Sequence, residues 1–445
     1  MGSVATAGLI NLLAQVDLSG FNFPGGTRGF TGVTMLTHMF FAELFVGFAI
    51  GAPLFQWWGA RTGSPRMDRL AHSMVRFNVL TFSTGATFAV LFVVLLVGFY
   101  PRLTAALFTT FYATVFIAMA SMLLALWGMY TYYYKWDRYS VLNKGRHILL
   151  GASMGVFITV WMVLMTGLDT FMTTGGGGDT QNIGAGGLSG FGVAFAGWFN
   201  SMFVWLSVHR LFANLSWPAF AIAAWGAFQY ARAKSETDKA FYDWTTSVGL
   251  IWGAGFLLLQ PIGGFLIAYS LKLARPENPV NAAASGGAFE RLTEGATSNL
   301  LYINLLMVVG LFVLSNVAMF LGAGRHPDRG GRRPIQLFGL IAALAGLYAI
   351  SPFAQFPFLY MRYIMMLIMV LATAAALVTY VRGRTRFRYG NPGAGYRAVL
   401  LALGILAAVT ALNMGFMKSN SRVPYTVYNQ PDYTVESQPP GGFGR

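Results

Sequence analysis

The strongest constraint on this chain is a succession of about ten long apolar runs, separated by connections that hold most of its charge. The runs fall at roughly 31–57, 70–99, 103–134, 147–172, 199–230, 241–271, 297–323, 335–352, 355–381 and 397–417. A run of about twenty apolar residues crosses a bilayer as a helix, whereas a membrane strand needs only about ten, with polar and apolar residues alternating. Hydrocarbon offers no water to backbone groups, so such runs satisfy their own hydrogen bonds as helices. The expected fold is all-α, a polytopic transmembrane helix bundle of about ten spans. With 56% of 445 residues hydrophobic and 10% charged, a soluble globule could not hide the apolar surface.

A net charge of +15 would suggest nucleic acid if the chain were soluble. Here it implies membrane orientation and no nucleic-acid partner, because the basic residues crowd into alternate loops. Arg61, Arg66, Arg69, Lys135, Arg138, Lys144, Arg146, Arg232, Lys234, Lys239, Arg325, Arg329, Arg332, Arg333, Arg382, Arg384, Arg386, Arg388 and Arg397 make nineteen of the thirty Lys and Arg. These loops are expected in the cytoplasm, the lipid bilayer being the first partner, and both termini then lie on the non-cytoplasmic side. Eight basic residues fall on that side, and Arg76, Arg210 and Arg362 remain within spans. Residues 1–27 hold no Lys or Arg, so no cleavable signal is expected there.

The organisation that follows is an outer segment 1–30, a seven-span bundle 31–323, three further spans in 324–417, and an outer tail 418–445 rich in Pro, Gly and Tyr. Two outer loops interrupt the bundle. Loop 173–198, with Gly175 to Gly178 and no basic residue, reads either as a passive linker or as a segment ordered by a partner. Loop 272–296, with Pro276 and Pro279, is long enough to cover a site at the outer surface.

The chain has no cysteine, which excludes disulfides, thiolate-held zinc or iron–sulfur clusters and the CxxCH attachment of c-type haem. Any cofactor falls to His, Met, carboxylate or backbone. No P-loop, dinucleotide fingerprint or HExxH is present. Of five histidines, His72, His147 and His326 fall at cytoplasmic span ends or in a loop and read as solvated or facing headgroups. His209 lies about ten residues into its span, about 15 Å deep, and Met307 lies at the same depth in another span. An imidazole and a thioether at one level can clamp a haem iron as a six-coordinate, low-spin electron-transfer centre, although Met307 taken alone reads rather as a lipid-facing or packing residue. His38 and Glu43 lie in the first span, and Glu43 is the one acid expected deep in the membrane. There it serves either as a proton relay or cofactor contact, or as a neutral structural hydrogen-bonding group. Arg210 and Arg362 are placed to bind haem propionates or to snorkel to the outer headgroups.

These residues sit in segments that resemble the larger, haem-bearing subunit of cytochrome bd-type quinol oxidases. Ser207 to Arg232, SVHRLFANLSWPAFAIAAWGAFQYAR, is similar to that family's fifth span, where a V-H motif supplies an axial ligand of the low-spin haem b. The resemblance puts His209 on that ligand, Met307 of LLMVVG (305–310) on the opposite one, and His38 of THMF (37–40) on the axial position of the high-spin haem site. RTGSP at 61–65, FNVLTFSTGA at 77–86, Trp136-Asp137-Arg138 and LLQPIGG at 258–264 are collinear with similar short motifs, and loop 272–296 holds the place of the quinol-binding loop. The resemblance runs over roughly residues 31–323.

The departures are chemical. The third span, 103–134, has no acid where the family has two glutamates, and GLIAALAGLYAI at 339–350 lacks the glutamate that ligates a high-spin haem. PFAQFPF at 352–358 replaces a GRQPW-like motif, and a tenth span is added. The resemblance therefore implies a haem b electron-transfer subunit with one low-spin haem, a second haem at His38, and quinone as a reaction partner. It would sit in a prokaryotic cytoplasmic membrane and exchange electrons between quinol or outer-face redox proteins and other membrane subunits, a related smaller one among them, without itself reducing oxygen. Two alternatives stand beside it: a divergent terminal oxidase in which Glu43 replaces the missing carboxylates, and a haem-free scaffold or transporter.

Overall fold

The computed structural model describes residues 26–174, 197–273, 295–354, 356–358 and 360–421. The expected N-terminal segment, nearly all of both long outer loops and the tail beyond residue 421 lie outside these residues. Every regular element among them is helical: α1 Gly26–Thr62, α2 Pro65–Phe99, α3 Pro101–Tyr134, the short α4 Trp136–Leu142, α5 Lys144–Thr174, α6 Phe203–Arg232, α7 Glu236–Leu257, α8 Gln260–Leu273, α9 Gly295–Gly322, α10 Arg329–Ile350, α11 Met361–Gly383 and α12 Ala394–Ser421. They make ten segments long and apolar enough to cross a membrane, α7 and α8 together forming the sixth. The end of the bundle that carries the basic connections is called the basic end below.

Local chemistry sets the boundaries. Gly63 adopts a φ of +65°, which an L side chain resists, and Pro65 and Pro101 stand in the first turns of α2 and α3, where a missing amide hydrogen costs nothing. Ser235 caps α7 by accepting the Asp238 amide at 3.1 Å. The sixth span was expected as one stretch, 241–271, but the helix breaks at Leu258 and Leu259. Pro261 has no amide hydrogen for the Leu257 carbonyl, and the chain bonds instead from Leu259 N to Phe256 O at 3.1 Å and from Gly263 N to Leu259 O at 3.3 Å. The fifth span begins at Phe203 rather than 199, so His209 is six residues, or about 9 Å, along α6 rather than 15.

Small residues bring the helices together, as expected where lipid gives apolar surfaces no reason to prefer each other over the bilayer. A Cβ on Gly249 of α7 would lie 2.6 Å from both Ala219 O and Ala223 N of α6, and one on Gly47 of α1 would lie 2.2 Å from Asn214 O. The three spans beyond residue 323 do not stand apart from the rest. α12 runs back into the bundle, with Gly404 against Ala224 of α6, Leu406 against Gly310 of α9 and Gly415 against Leu36 of α1. Its far end is tied by an ion pair between Lys418 and Asp169 of α5.

Candidate functional site

Away from the basic end, α1, α5 and α6 enclose a polar group in an apolar setting. Arg210 turns inward instead of reaching for headgroups: Nη1 donates to Thr166 Oγ1 at 3.2 Å, Nη2 lies 3.4 Å from Met39 Sδ, and Nε stands 3.9 Å from Glu43 Oε1. Glu43 thus faces an arginine and not lipid. The close approach of α1 to α6 at Gly47 and Pro218 makes this pairing possible. On the other side of α1, His38 Nδ1 donates to the carbonyl of Gly85 in α2 at 3.0 Å. That bond fixes the tautomer and leaves the lone pair on Nε2, the arrangement a metal-ligating histidine needs.

His209 differs. His209 is 6% exposed, its Nδ1 has no hydrogen-bond partner among the described residues, and its ring lies against Gly263 of α8. A buried imidazole without a polar partner is costly in a protein interior. An imidazole in that state has the donor chemistry that a metal or a haem iron takes. Met307 is half-buried on α9 between Asn304 and Gly310, and both of these touch α12. No hydrogen bond or ring contact joins His209 to Met307, and α12 packs against both of their helices. Arg362 stands in the first turn of α11, half-buried, its Nε without a partner among the described residues. It does not join the Glu43–Arg210 group.

Two polar clusters at the basic end escaped the sequence reading. Asp243 is fully buried in α7, so Glu43 is not the one acid deep in the bundle. Arg325, counted above among loop charges, reaches back to it: Nη1 donates to Asp243 Oδ1 at 2.6 Å and Nη2 to Tyr380 Oη at 2.5 Å, while its guanidinium lies 4.2 Å from the Tyr396 ring centroid. The Gly390 amide donates to the other Asp243 oxygen at 2.9 Å. His147 is likewise buried, not solvated. It donates from Nε2 to the Tyr132 carbonyl at 3.0 Å and accepts at Nδ1 from Gln56 Nε2 at 2.9 Å, while Tyr132 Oη donates to Gln56 Oε1 at 2.9 Å. His326 is also buried, its Nδ1 accepting the Asp328 amide at 3.1 Å. In each case neighbouring helix ends or loop residues cover the side chain, so a residue near a span end in sequence is interior in space.

Comparison with curated proteins finds no match. Among solved structures, the bd oxidase from Geobacillus thermodenitrificans aligns with 88% of this chain and 97% of its own at 15% identity and a TM-score of 0.49. The family model for cytochrome bd terminal oxidase subunit I matches residues 27–307, more than half of the chain, and includes both candidate histidines, Glu43 and Met307. The chain is a multi-pass member of the cytochrome bd terminal oxidase subunit I family.

Proposed function

We propose that this chain is the haem b-bearing electron-transfer subunit of a cytochrome bd-like membrane complex, with its basic end in the cytoplasm of a prokaryotic cell. It would accept electrons from quinol or an outer-face redox protein, pass them to partner subunits, a related smaller one among them, and leave oxygen reduction to others. The observation that carries this reading is His209, a buried imidazole on a membrane-spanning helix with no hydrogen-bond partner among the described residues. When bound, the haem supplies a one-electron couple.

In this reading His209 and Met307 would hold the haem iron, the second assignment resting on its position in the LLMVVG segment. His38, its tautomer set by Gly85, is the donor for a second haem. Arg210 keeps a positive charge beside His209, balanced by Glu43, with its donors engaged by Thr166 and Met39. Arg362, with an unpartnered Nε, remains the candidate for a propionate. The pairing of acids inside spans favours electron transfer over oxygen chemistry, for Asp243 is held by Arg325, Asp169 by Lys418, and Glu43 faces Arg210.

The test is a reduced-minus-oxidised spectrum of the purified complex, with a pyridine haemochrome assay. Haem b with a low-spin band that is lost or converted in both His209→Ala and Met307→Ala is the expected result. A chain without haem would select the scaffold or transporter reading, and a band untouched by both substitutions would end the ligand assignment. Oxygen uptake with quinol by the chain and its partners would favour the terminal oxidase.

A further inference from the structure

The broken sixth span brings one glycine against one ring. Gly263 is buried on α8, and a Cβ built there would lie 2.6 Å from Nδ1, 3.1 Å from Cγ and 3.0 Å from Cβ of His209. The 2.6 Å approach to Nδ1 is one that a real Cβ does not make, so a side chain at residue 263 would shift the imidazole from its present place. Gly264, the next residue, has nothing within 4 Å of a Cβ and faces open space. The chain therefore has two adjacent glycines of which only the first is required by contact. The break after Leu257 sets this register, since the restarted helix at Gln260 and Pro261 turns Gly263 toward α6 and Ile262 and Phe265 outward, at 60% and 66% exposure.

The contact also decides which nitrogen is available. Gly263 covers the edge of the ring formed by Cβ, Cγ and Nδ1, and Nδ1 has no acceptor. Nε2, on the opposite edge, is the nitrogen left for a metal. Metal-bound histidines ordinarily donate their second N–H to a carboxylate or carbonyl, which makes the imidazole a stronger donor, as the Gly85 carbonyl does for His38. At His209 a glycine backbone stands where that acceptor would be.

We infer that Gly263 is a positioning residue for the haem: it holds the His209 ring by shape alone, with Nε2 toward the iron and Nδ1 unpaired. The inference rests on the proposed axial role of His209. An axial imidazole without a hydrogen-bond acceptor stabilises the oxidised iron less, so the centre has a higher midpoint potential than the same pair would have with an acceptor.

The experiment uses the full complex and three variants, Gly263→Ala, Gly263→Ser and Gly264→Ala, read by haem content, low-spin spectrum and redox titration. Gly263→Ala is expected to displace the ring and to reduce the low-spin band severalfold with haem content largely kept. Gly263→Ser carries the same Cβ and displaces the ring likewise, but where assembled its hydroxyl adds an acceptor, so its remaining band titrates below that of Gly263→Ala, and Gly264→Ala leaves all three readings at wild type. Wild-type spectrum and potential in Gly263→Ala, in a complex whose band is lost in His209→Ala, would overturn the inference while sparing the ligand assignment. A band that survives His209→Ala would overturn the assignment itself. If Gly263→Ala fails to assemble, the double variant His209→Ala with Gly263→Ala decides: restored assembly supports the steric contact with His209, and continued failure removes it.

Discussion

The guanidinium of Arg325 stands 2.6 Å from the carboxylate of Asp243, and neither side chain is more than 5% exposed. The pair joins the sixth span to the seventh and, through Tyr380, Tyr396 and the Gly390 amide, to the ninth, the tenth and the loop between them. Removing one partner leaves an uncompensated buried charge, which costs about 3–5 kcal/mol, whereas replacing both by apolar groups is often close to neutral. Asp243→Ala is therefore expected to lower thermal stability in detergent sharply, and Asp243→Leu with Arg325→Met to recover most of the loss. Equal losses in single and double variants would mean that the cluster is not organised around this pair.

Gln56, Tyr132 and His147 form a second buried network, in which His147 Nδ1 lies 2.9 Å from Gln56 Nε2 and 3.0 Å from Gln56 Oε1. His147→Leu removes an acceptor and a donor at once and leaves Gln56 Nε2 and the Tyr132 carbonyl unpaired. The expected cost is about 1–3 kcal/mol for each group left unsatisfied, read as a lower unfolding midpoint with the spectrum of any bound haem unchanged. A spectral change in this variant would show that the basic end communicates with the opposite half of the bundle.

The contrast between what the sequence revealed and what it hid follows from range. The ten spans were legible because hydropathy over about twenty residues is a one-dimensional property. The break at Leu258 was foreshadowed by Gln260-Pro261, yet the apolar run continues through it and the composition masks it. His38, Glu43, His209 and Arg210 stood out because polar residues in apolar runs are few. Asp243 and Arg325 did not, because each lies near the end of its own span and their proximity is created only by the packing of α7 against α9. The role of Gly263 was illegible for the same reason: one of 53 glycines acquires meaning only when the ring opposite it is known.

Gly249 makes a close backbone approach between α6 and α7, with an added Cβ 2.6 Å from both Ala219 O and Ala223 N. Neither is the end of a flexible side chain, so Gly249→Val must push the two helices apart. Overpacking of this kind costs about 1–3 kcal/mol or more. The measurement is the yield and thermal midpoint of the purified complex, with Gly255→Ala as a matched control, since its added Cβ would meet only Leu377 at 3.8 Å. Equal behaviour of the two variants would refute the close packing.

Glu43 separates the two redox readings. It lies 3.9 Å from Arg210 Nε, a separation at which the two charges attract without a formed hydrogen bond, and its side chain is 20% exposed. If the chain only transfers electrons, Glu43→Gln removes the charge that balances Arg210 while keeping the shape. The low-spin band then persists, and its midpoint potential rises, because an anion near the haem favours the oxidised state and its loss favours the reduced one. If the chain instead reduces oxygen through Glu43, the same substitution stops quinol-dependent oxygen uptake by removing the carboxylate that would move the proton. A redox titration and an oxygen electrode on the same preparation decide between them. Unchanged potential together with undiminished oxygen uptake would exclude Glu43 from both roles and leave it as a structural partner of Arg210.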